Sequence, residues 1–421
     1  MSKKKIIVIG CGFGGLQFIK NLKKDMFDIL LIDKINHHQF QPLFYQVAAS
    51  QIEPATISFP LRKIFQNRKD VRIRLAKVEA VNHKIKLIQT SIGDFTYDYL
   101  VIATGSRTNY FNNDEIECNS LSLKSTYKAM TIRNKTLMNF ERILYNKNDE
   151  GLYNIVIVGG GATGVELAGA FSEMKREVLP KDYPNIIANK VNVYLLEGSN
   201  HTLSAMSPYA QKYSEKYLIK MGVIVKTGVF VKHYDGETVT LNNGDTIISK
   251  NVIWSAGVKG NAIKGIPDDL VLPSGRVKVN RINKIEPLDG VFAIGDVSYM
   301  ETDKYPRGHP QLANVAIGQA KNLAKNLNKI EKHKDEKLKY YEYRNLGTMA
   351  TVGRNKAVVD LPFAKFRGLF AWFVWMFLHL MLILSVRNKL VIFINWAWNY
   401  ITKNSSLRLI LTDDKDSSGN S

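Results

Sequence analysis

The chain has 421 residues, 45% of them hydrophobic, and 58 basic against 38 acidic side chains give it a net charge of +20. That composition excludes a disordered chain and allows two or three domains with a large core. Its two cysteines, Cys11 and Cys118, exclude a disulfide framework and a cysteine-built zinc centre, so no metal site is expected.

The N-terminus, Met-Ser-Lys-Lys-Lys, runs directly into the apolar strand Ile6–Ile9, which predicts no signal peptide and a place in the cytoplasm or on the cytoplasmic face of a membrane. Residues 5–33 read as strand, glycine turn, helix, strand, and both strands are continuous apolar runs of the kind buried on both faces of a parallel sheet. Residues 98–105 form another buried strand ending at Thr104-Gly105; residues 106–150 are polar and partly helical. A second strand–glycine–helix unit begins at Asn154, continues through Val191–Glu197 and reaches the strand Val252–Trp254. The chain then returns to the first domain near Val291–Ile294, and Asp413–Ser421 reads as a disordered tail. The repeated pattern predicts an α/β fold with two Rossmann-like dinucleotide-binding domains, the second inserted in the first.

Gly10-Cys11-Gly12-Phe13-Gly14-Gly15 has G-x-G-x-x-G spacing between a strand and a helix. Gly10 allows the tight turn, Gly12 lets backbone N–H groups approach a pyrophosphate at the positive end of the helix, and Gly15 lets helix pack on strand. Asp33 ends the next strand, where a carboxylate accepts from a ribose hydroxyl. Gly159-Gly160-Gly161-Ala162-Thr163-Gly164 repeats the pattern, with Glu197 as its acid. A carboxylate repels a 2′-phosphate and no arginine lies beside it in sequence, so NADH is preferred to NADPH. The stretch from Gly159 to Glu197 is longer than usual, which a longer helix and the loop around Pro180–Pro184 account for.

Leu369–Val386 is an almost unbroken apolar run, long enough to span a bilayer, to lie in its interface, to pack against a second subunit or to be a buried core helix. Leu390–Lys403 reads as an amphipathic helix in the membrane plane, with Asn388, Asn395, Asn399 and Thr402 on one face. The positive charge fits an anionic lipid surface or nucleic acid. Its lysines are scattered rather than interleaved with aromatics, which disfavours nucleic acid.

With these motifs together, the chain resembles the pyridine-nucleotide flavoprotein superfamily. Leu100–Gly105 is similar to its A-T-G strand, Ile253–Gly257 to the counterpart closing the NADH domain, and Val291–Asp296 to the second FAD motif. A C-x₄-C redox pair is absent, as is a cysteine between Asp33 and Ser50, which sets aside the disulfide- and peroxide-reducing branches. Two isolated cysteines also do not suit sulfide:quinone oxidoreductases. Gln41–Ala48, Gly164–Gly169 and the order Trp372, Trp375, His379, Arg387-Asn388, Trp396, Trp398, Tyr400 resemble the type II NADH:quinone oxidoreductases.

That resemblance implies FAD held by Gly10, Gly12, Phe13, Gly14, Gly15, Asp33, Lys34, Thr104, Gly105, Gly295 and Asp296, the last on the ribitol chain. It implies NADH held by Gly159, Gly161, Gly164, Glu197, Ala256 and Gly257. Tyr45, Gln46, Asn314 and Gly318 fall in the implied quinone vicinity, where the family's A-Q-x-A-x-Q reads Ala313-Asn314-Val315-Ala316-Ile317-Gly318. Gln319 points about 100° away from Gly318 on a helix and is no obvious substitute. Quinone reduction consumes protons, and Glu166, placed on the first turn of the NADH helix, is the candidate donor; a purely structural carboxylate favoured by the helix dipole is the alternative. The expected domains are FAD-binding (1–108 and 266–330), NADH-binding (109–265) and a C-terminal membrane-anchoring and dimerisation region (331–412), followed by a tail (413–421). The resemblance implies a homodimer, peripheral or monotopic on the cytoplasmic face of the inner membrane, that passes a hydride from NADH to FAD and two electrons to a membrane quinone. A reductase with a protein acceptor, and a redox-switched signalling or nucleic-acid-binding flavoprotein, remain as alternatives.

Overall fold

The computed structural model describes residues 3–332, 337–404 and 407–411; the tail expected at 413–421 lies outside them. In chain order, the elements that carry the sites begin with β1 (Lys5–Ile9), α1 (Phe13–Asn21), β2 (Asp28–Asp33), β3 (Val71–Leu75), β4 (Tyr99–Ile102) and α2 (Thr126–Tyr145). Then come β5 (Asn154–Val158), α3 (Ala162–Glu173), β6 (Asn192–Glu197), α4 (Pro208–Lys220), β7 (Val223–Thr227), β8 (Asn251–Trp254) and β9 (Val291–Ala293). The last are α5 (Ala313–Glu331), β10 (Thr348–Gly353), β11 (Lys356–Asp360), β12 (Lys365–Arg367), α6 (Leu369–Leu382) and α7 (Val386–Thr402). The described residues divide into two compact units. One draws on Met1–Gln39, Phe59–Arg107 and Val258–Arg344; the other on Phe40–Ser58, Thr108–Gly257 and Asn345–Ser421.

The first unit is built on a five-stranded parallel sheet in the order β9-β4-β1-β2-β3. Its central strands are apolar without alternation because both faces are covered: Ile6, Val8 and Ile29 have no exposed surface. Strand order reverses at β1, so the loop that leaves β1 opens at the switch point where such sheets take their ligands. Register then does the positioning. Ile9 pairs with Ile32, so Asp33 emerges at the same sheet end as Gly10. Ile9 also pairs with Ile102, bringing Ala103–Gly105 to the other flank.

The second unit repeats this plan, with Leu121–Ser122, β8, β5, β6 and β7 in one parallel sheet. Val158 pairs with both Leu196 and Trp254, which delivers Glu197 and Ser255–Gly257 to the second glycine loop. Helix α2 is capped by the Ser125 hydroxyl, which accepts from the Lys128 N–H at 3.1 Å, and buries Ile132, Leu137 and Phe140. Strands β10, β11 and β12 form an antiparallel meander, and α6 and α7 close the unit. The fold is therefore the expected pair of parallel-sheet domains, the second interrupting the first, with helices at the C-terminus.

Among the described residues no helix is long and apolar enough to cross a membrane. Of the alternatives left open for Leu369–Val386, the spanning one is thereby removed. The run breaks after Leu382, where Ile383 turns extended, and leaves a helix of 14 residues. At 1.5 Å per residue that is about 21 Å, short of the ~30 Å hydrocarbon core.

Candidate functional site

In the first unit, Gly12 is the N-cap residue of α1, with no side-chain cap and no acid in the first turn, so the first N–H groups remain for a ligand. The glycines are needed for closeness. Gly10 has φ +94°, and a Cβ on Gly15 would lie 1.9 Å from the Gly10 carbonyl oxygen, a contact no side chain tolerates. Beside Gly12 and Gly105 the same added atom would meet nothing within 4 Å, leaving room for a group to pass over the backbone. Gly14 faces Ile294. Asp33 accepts from the N–H groups of Cys11 (2.6 Å) and Ile35 (3.1 Å). Burial raises its carboxyl above the usual range, against the pull of those N–H groups. Lys34 is exposed beside it. Phe13 meets the His38 ring edge-on at 5.4 Å. The Thr104 hydroxyl donates to the Asn261 carbonyl at 2.7 Å.

The second FAD motif adds Asp296, whose carboxylate accepts from the Ser106 hydroxyl at 2.7 Å. Gly295 donates its N–H to Gln319 Oε1 at 2.8 Å, and the Ser298 hydroxyl donates to the same oxygen at 3.0 Å. Gln319 is thus a buried brace for this motif. Neither Ser106, Gln319 nor His38 was legible as a site residue, because each acts through a partner far away in sequence. A glycine cradle, an uncapped helix terminus and an acid fixed at the sheet end fit a dinucleotide such as FAD.

In the second unit the cradle is as tight: a Cβ on Gly164 would lie 1.8 Å from the Gly159 carbonyl oxygen. Gly161, the N-cap residue of α3, again has open space beside it. Glu197 reaches back to accept from the Gly160 N–H, and its other oxygen accepts from the Ser199 N–H at 2.7 Å. The long spacing is absorbed by the π turn Met174–Val178 and the helical turn Leu179–Asp182, which continue α3. Gly159, Gly161, Glu197, Trp254, Ala256 and Gly257 line one cleft of about 1280 Å³. Phe111, Phe230 and Lys232 line it as well. None of the three was singled out from the sequence; Lys232 arrives from β structure well beyond the strand that carries Glu197.

A second cavity of this unit, about 830 Å³, is lined by Tyr45, Gln46, Glu166, Glu173, Trp375 and Trp396, among others. A chain of hydrogen bonds fixes part of its wall. The Trp396 indole donates to Gln46 Oε1 at 2.9 Å, and the Gln46 amide donates to the Tyr45 hydroxyl at 2.9 Å. Trp375 packs against Tyr45 (6.3 Å) and Trp396 (6.0 Å) and stacks on His379 at 4.0 Å. Glu166 is the fifth residue of α3, in its second turn rather than the first, and the first turn holds no acid. The helix-dipole role therefore does not describe it. Burial pushes Glu166 up to about 8, against the Thr351 N–H and the Trp375 indole. Its carboxylate faces the cavity, so part of it stays reachable although the protein walls it in. Burial also holds His379 down at about 4, so that ring is neutral at physiological pH.

Asn314 and Gly318 belong to α5 of the first unit. The Asn314 amide supports the Tyr343 hydroxyl. Gly318 is covered by Tyr341: a Cβ there would lie 2.7 Å from the Tyr341 hydroxyl and 2.8 Å from its ring. The glutamine of the resembling family has no room at this position.

Helices α6 and α7 expose what soluble helices hide. Phe370, Phe373, Phe377 and Leu382 on α6 are each more than half exposed, as are Phe393, Ile394 and Ile401 on α7. The asparagine stripe of α7 faces inward. Asn388 donates to the Thr56 carbonyl at 2.8 Å and Asn399 to the Gln51 carbonyl at 3.1 Å.

Comparison with known proteins bears on the fold and the family. Residues 4–320 match the family model described as pyridine nucleotide-disulphide oxidoreductase, and residues 345–403 match the NDH2 C-terminal domain. The chain is 30% identical to the type II NADH:quinone oxidoreductase NdhA of Mycobacterium tuberculosis, over 95% of this chain and 87% of that one. It is 30% identical to a probable NADH dehydrogenase of Dictyostelium discoideum, over 94% and 89%. The structure of NDH2 from Plasmodium falciparum in complex with NADH superposes with a TM-score of 0.90 at 20% identity, covering 98% of this chain and all of that one. Two glycine cradles, a glutamate-bearing cavity and these full-length matches lead to one conclusion: the chain belongs to the type II NADH:quinone oxidoreductase family.

Proposed function

We infer that this enzyme oxidises NADH and passes the electrons by way of FAD to a membrane quinone, without pumping protons. The family relationship supports the reaction and the two cofactors. The single structural observation that carries the acceptor end is the cavity around Glu166, roofed by Trp375 of α6 and Trp396 of α7, the two helices whose outer faces are apolar. When bound, FAD would supply the redox chemistry between NADH and the quinone.

The chain's own residues bind, orient and handle protons. The N-termini of α1 and α3 hold the pyrophosphates of FAD and NADH, while Asp33 and Glu197 hold the riboses and Asp296 the ribitol. Tyr45 and Gln46, held by Trp396, shape the wall against the quinone head group. Glu166, protonated at neutral pH, gives a proton as the quinone is reduced. The exposed apolar faces of α6 and α7 enter the lipid interface, with Arg387 and the positive net charge drawn to anionic head groups. The enzyme works as a peripheral homodimer on the cytoplasmic face of the membrane, as part of a respiratory chain.

The test is anaerobic titration of the detergent-purified protein. NADH bleaches the flavin spectrum and a short-chain quinone restores it. Bleaching without restoration would refute the quinone assignment and leave an NADH-reducible flavoprotein.

A further inference from the structure

Reducing a quinone with NADH follows NADH + H⁺ + quinone → NAD⁺ + quinol. The hydride brings two electrons and one proton; the other proton comes from solvent and has to reach an enclosed site. The cavity holds more carboxylates than the one already assigned. Glu166, Ala170, Glu173 and Glu177 line it from one stripe of α3 and the π turn that continues it. Glu173 is 9% exposed. It accepts from the Arg354 N–H in the β10–β11 turn and from the Gln51 amide at 3.4 Å. Glu177 pairs with the Arg354 guanidinium at 3.1 Å. Lys403 and Asn404, both exposed, line the same cavity, which therefore reaches the surface beyond Glu177.

We propose that Glu173, fed from Glu177 at the rim, carries the solvent proton inward to Glu166. The inference rests on the reading that quinone is reduced at this cavity. Glu173 gives its proton towards Glu166 and takes another from the Glu177 side; no electron passes through either carboxylate. Glu166 and Glu173 are two helical turns apart, about 10 Å along the axis. Water completes the path, in a cavity that opens to solvent beyond Glu177. The groups facing Glu173 are Gln51 and Tyr45, Arg176 and Glu177 on its own helix, and Arg354 and Lys356 from the hairpin. Burial raises the Glu173 carboxyl, opposed by the Arg354 N–H and guanidinium, so it holds a proton more readily than a surface carboxylate.

A carboxylate here could instead serve only to hold the Arg354 turn. Stopped-flow spectroscopy of the FAD-loaded enzyme, in H₂O and in D₂O, separates the two roles. Glu173→Gln keeps an oxygen for the Arg354 N–H but carries no proton. NADH should bleach its flavin at the parent rate, while reoxidation by a short-chain quinone slows by roughly tenfold or more. The solvent isotope effect on that step should grow, formic acid should restore part of the rate, and Glu173→Asp should recover more. Parent-like reoxidation with a parent isotope effect overturns the proposal. So does a slowing of both half-reactions that weak acid does not relieve. Should Glu173→Gln fail to fold, Glu177→Gln decides: selectively slower reoxidation supports the relay, and an unchanged rate overturns it. Failure of the underlying reading looks different, since parent enzyme bleached by NADH would then not recover with quinone at all.

Discussion

Gly318 occupies a helix interior, where alanine is favoured over glycine by about 0.5–1 kcal/mol. Here the sign should reverse. A Cβ at Gly318 would lie 2.7, 2.8 and 3.1 Å from three Tyr341 atoms. Tyr341 cannot swing aside freely: it is 8% exposed, packs with Met300, Val315 and Tyr343, and meets the His309 ring at 5.4 Å. Forcing a methyl into such a contact costs about 1–3 kcal/mol. Gly318→Ala should therefore be destabilised by a net of about 1 kcal/mol (bounds ~0–2.5 kcal/mol), and Gly318→Gln by more. Calorimetry or urea unfolding measures it, with Tyr341→Ala as the second arm of a double-mutant cycle. In that background Gly318→Ala should be neutral or stabilising, because the obstruction is gone. Gly318→Ala as stable as the parent with Tyr341 intact would refute the steric account of why the family's glutamine is missing.

Glu166→Gln should retain FAD and slow quinone-dependent turnover by roughly 10²–10⁴-fold; in the parent, turnover that needs the protonated acid should fall as pH rises through about 8. Unchanged turnover in the variant removes the proton role. The same carboxyl should tilt stability: with its folded value raised from 4.5 to about 8, its contribution is fully present below about 4.5 and declines as pH climbs to 8. Urea midpoints across that window should flatten in Glu166→Gln. Glu197→Ala should lower kcat/KM for NADH and narrow the gap to NADPH, since Lys232 lines the same cleft; an unchanged ratio of the two would detach Glu197 from the ribose. Phe393→Glu with Ile401→Glu, both on the outer face of α7, should abolish co-sedimentation with anionic vesicles while leaving NADH bleaching intact. Each lost apolar side chain removes about 1–2 kcal/mol of insertion, and retained binding would place the lipid contact elsewhere.

The two nucleotide domains were readable because their signals are local. An apolar strand, a glycine turn and an acid at the end of the next strand all follow from parallel register, so Gly10 with Asp33 and Gly159 with Glu197 could be paired on paper. The cavity was only half readable. Glu166 stood out beside the glycine loop, but nothing in the sequence singled out Glu173; only the folded chain places Arg354 and Gln51 around it. The length of α6 was not legible because hydropathy continues past Leu382 although the helix does not; Ile383 and Ser385 are as apolar or as small as a spanning segment allows. The stripe of asparagines on α7 was visible as periodicity. Its direction was not, since periodicity separates two faces without saying which one meets protein.

That direction has a practical meaning. Asn388 and Asn399 fasten α7 to backbone carbonyls of the segment 51–56, and the link is polar and directional. Stripping lipid or detergent does not weaken such bonds, so the helix should stay docked with its greasy side bare. Preparations that run short of detergent should therefore cloud by sticking of folded, still NADH-reducible molecules, and adding detergent back should clear them without any refolding.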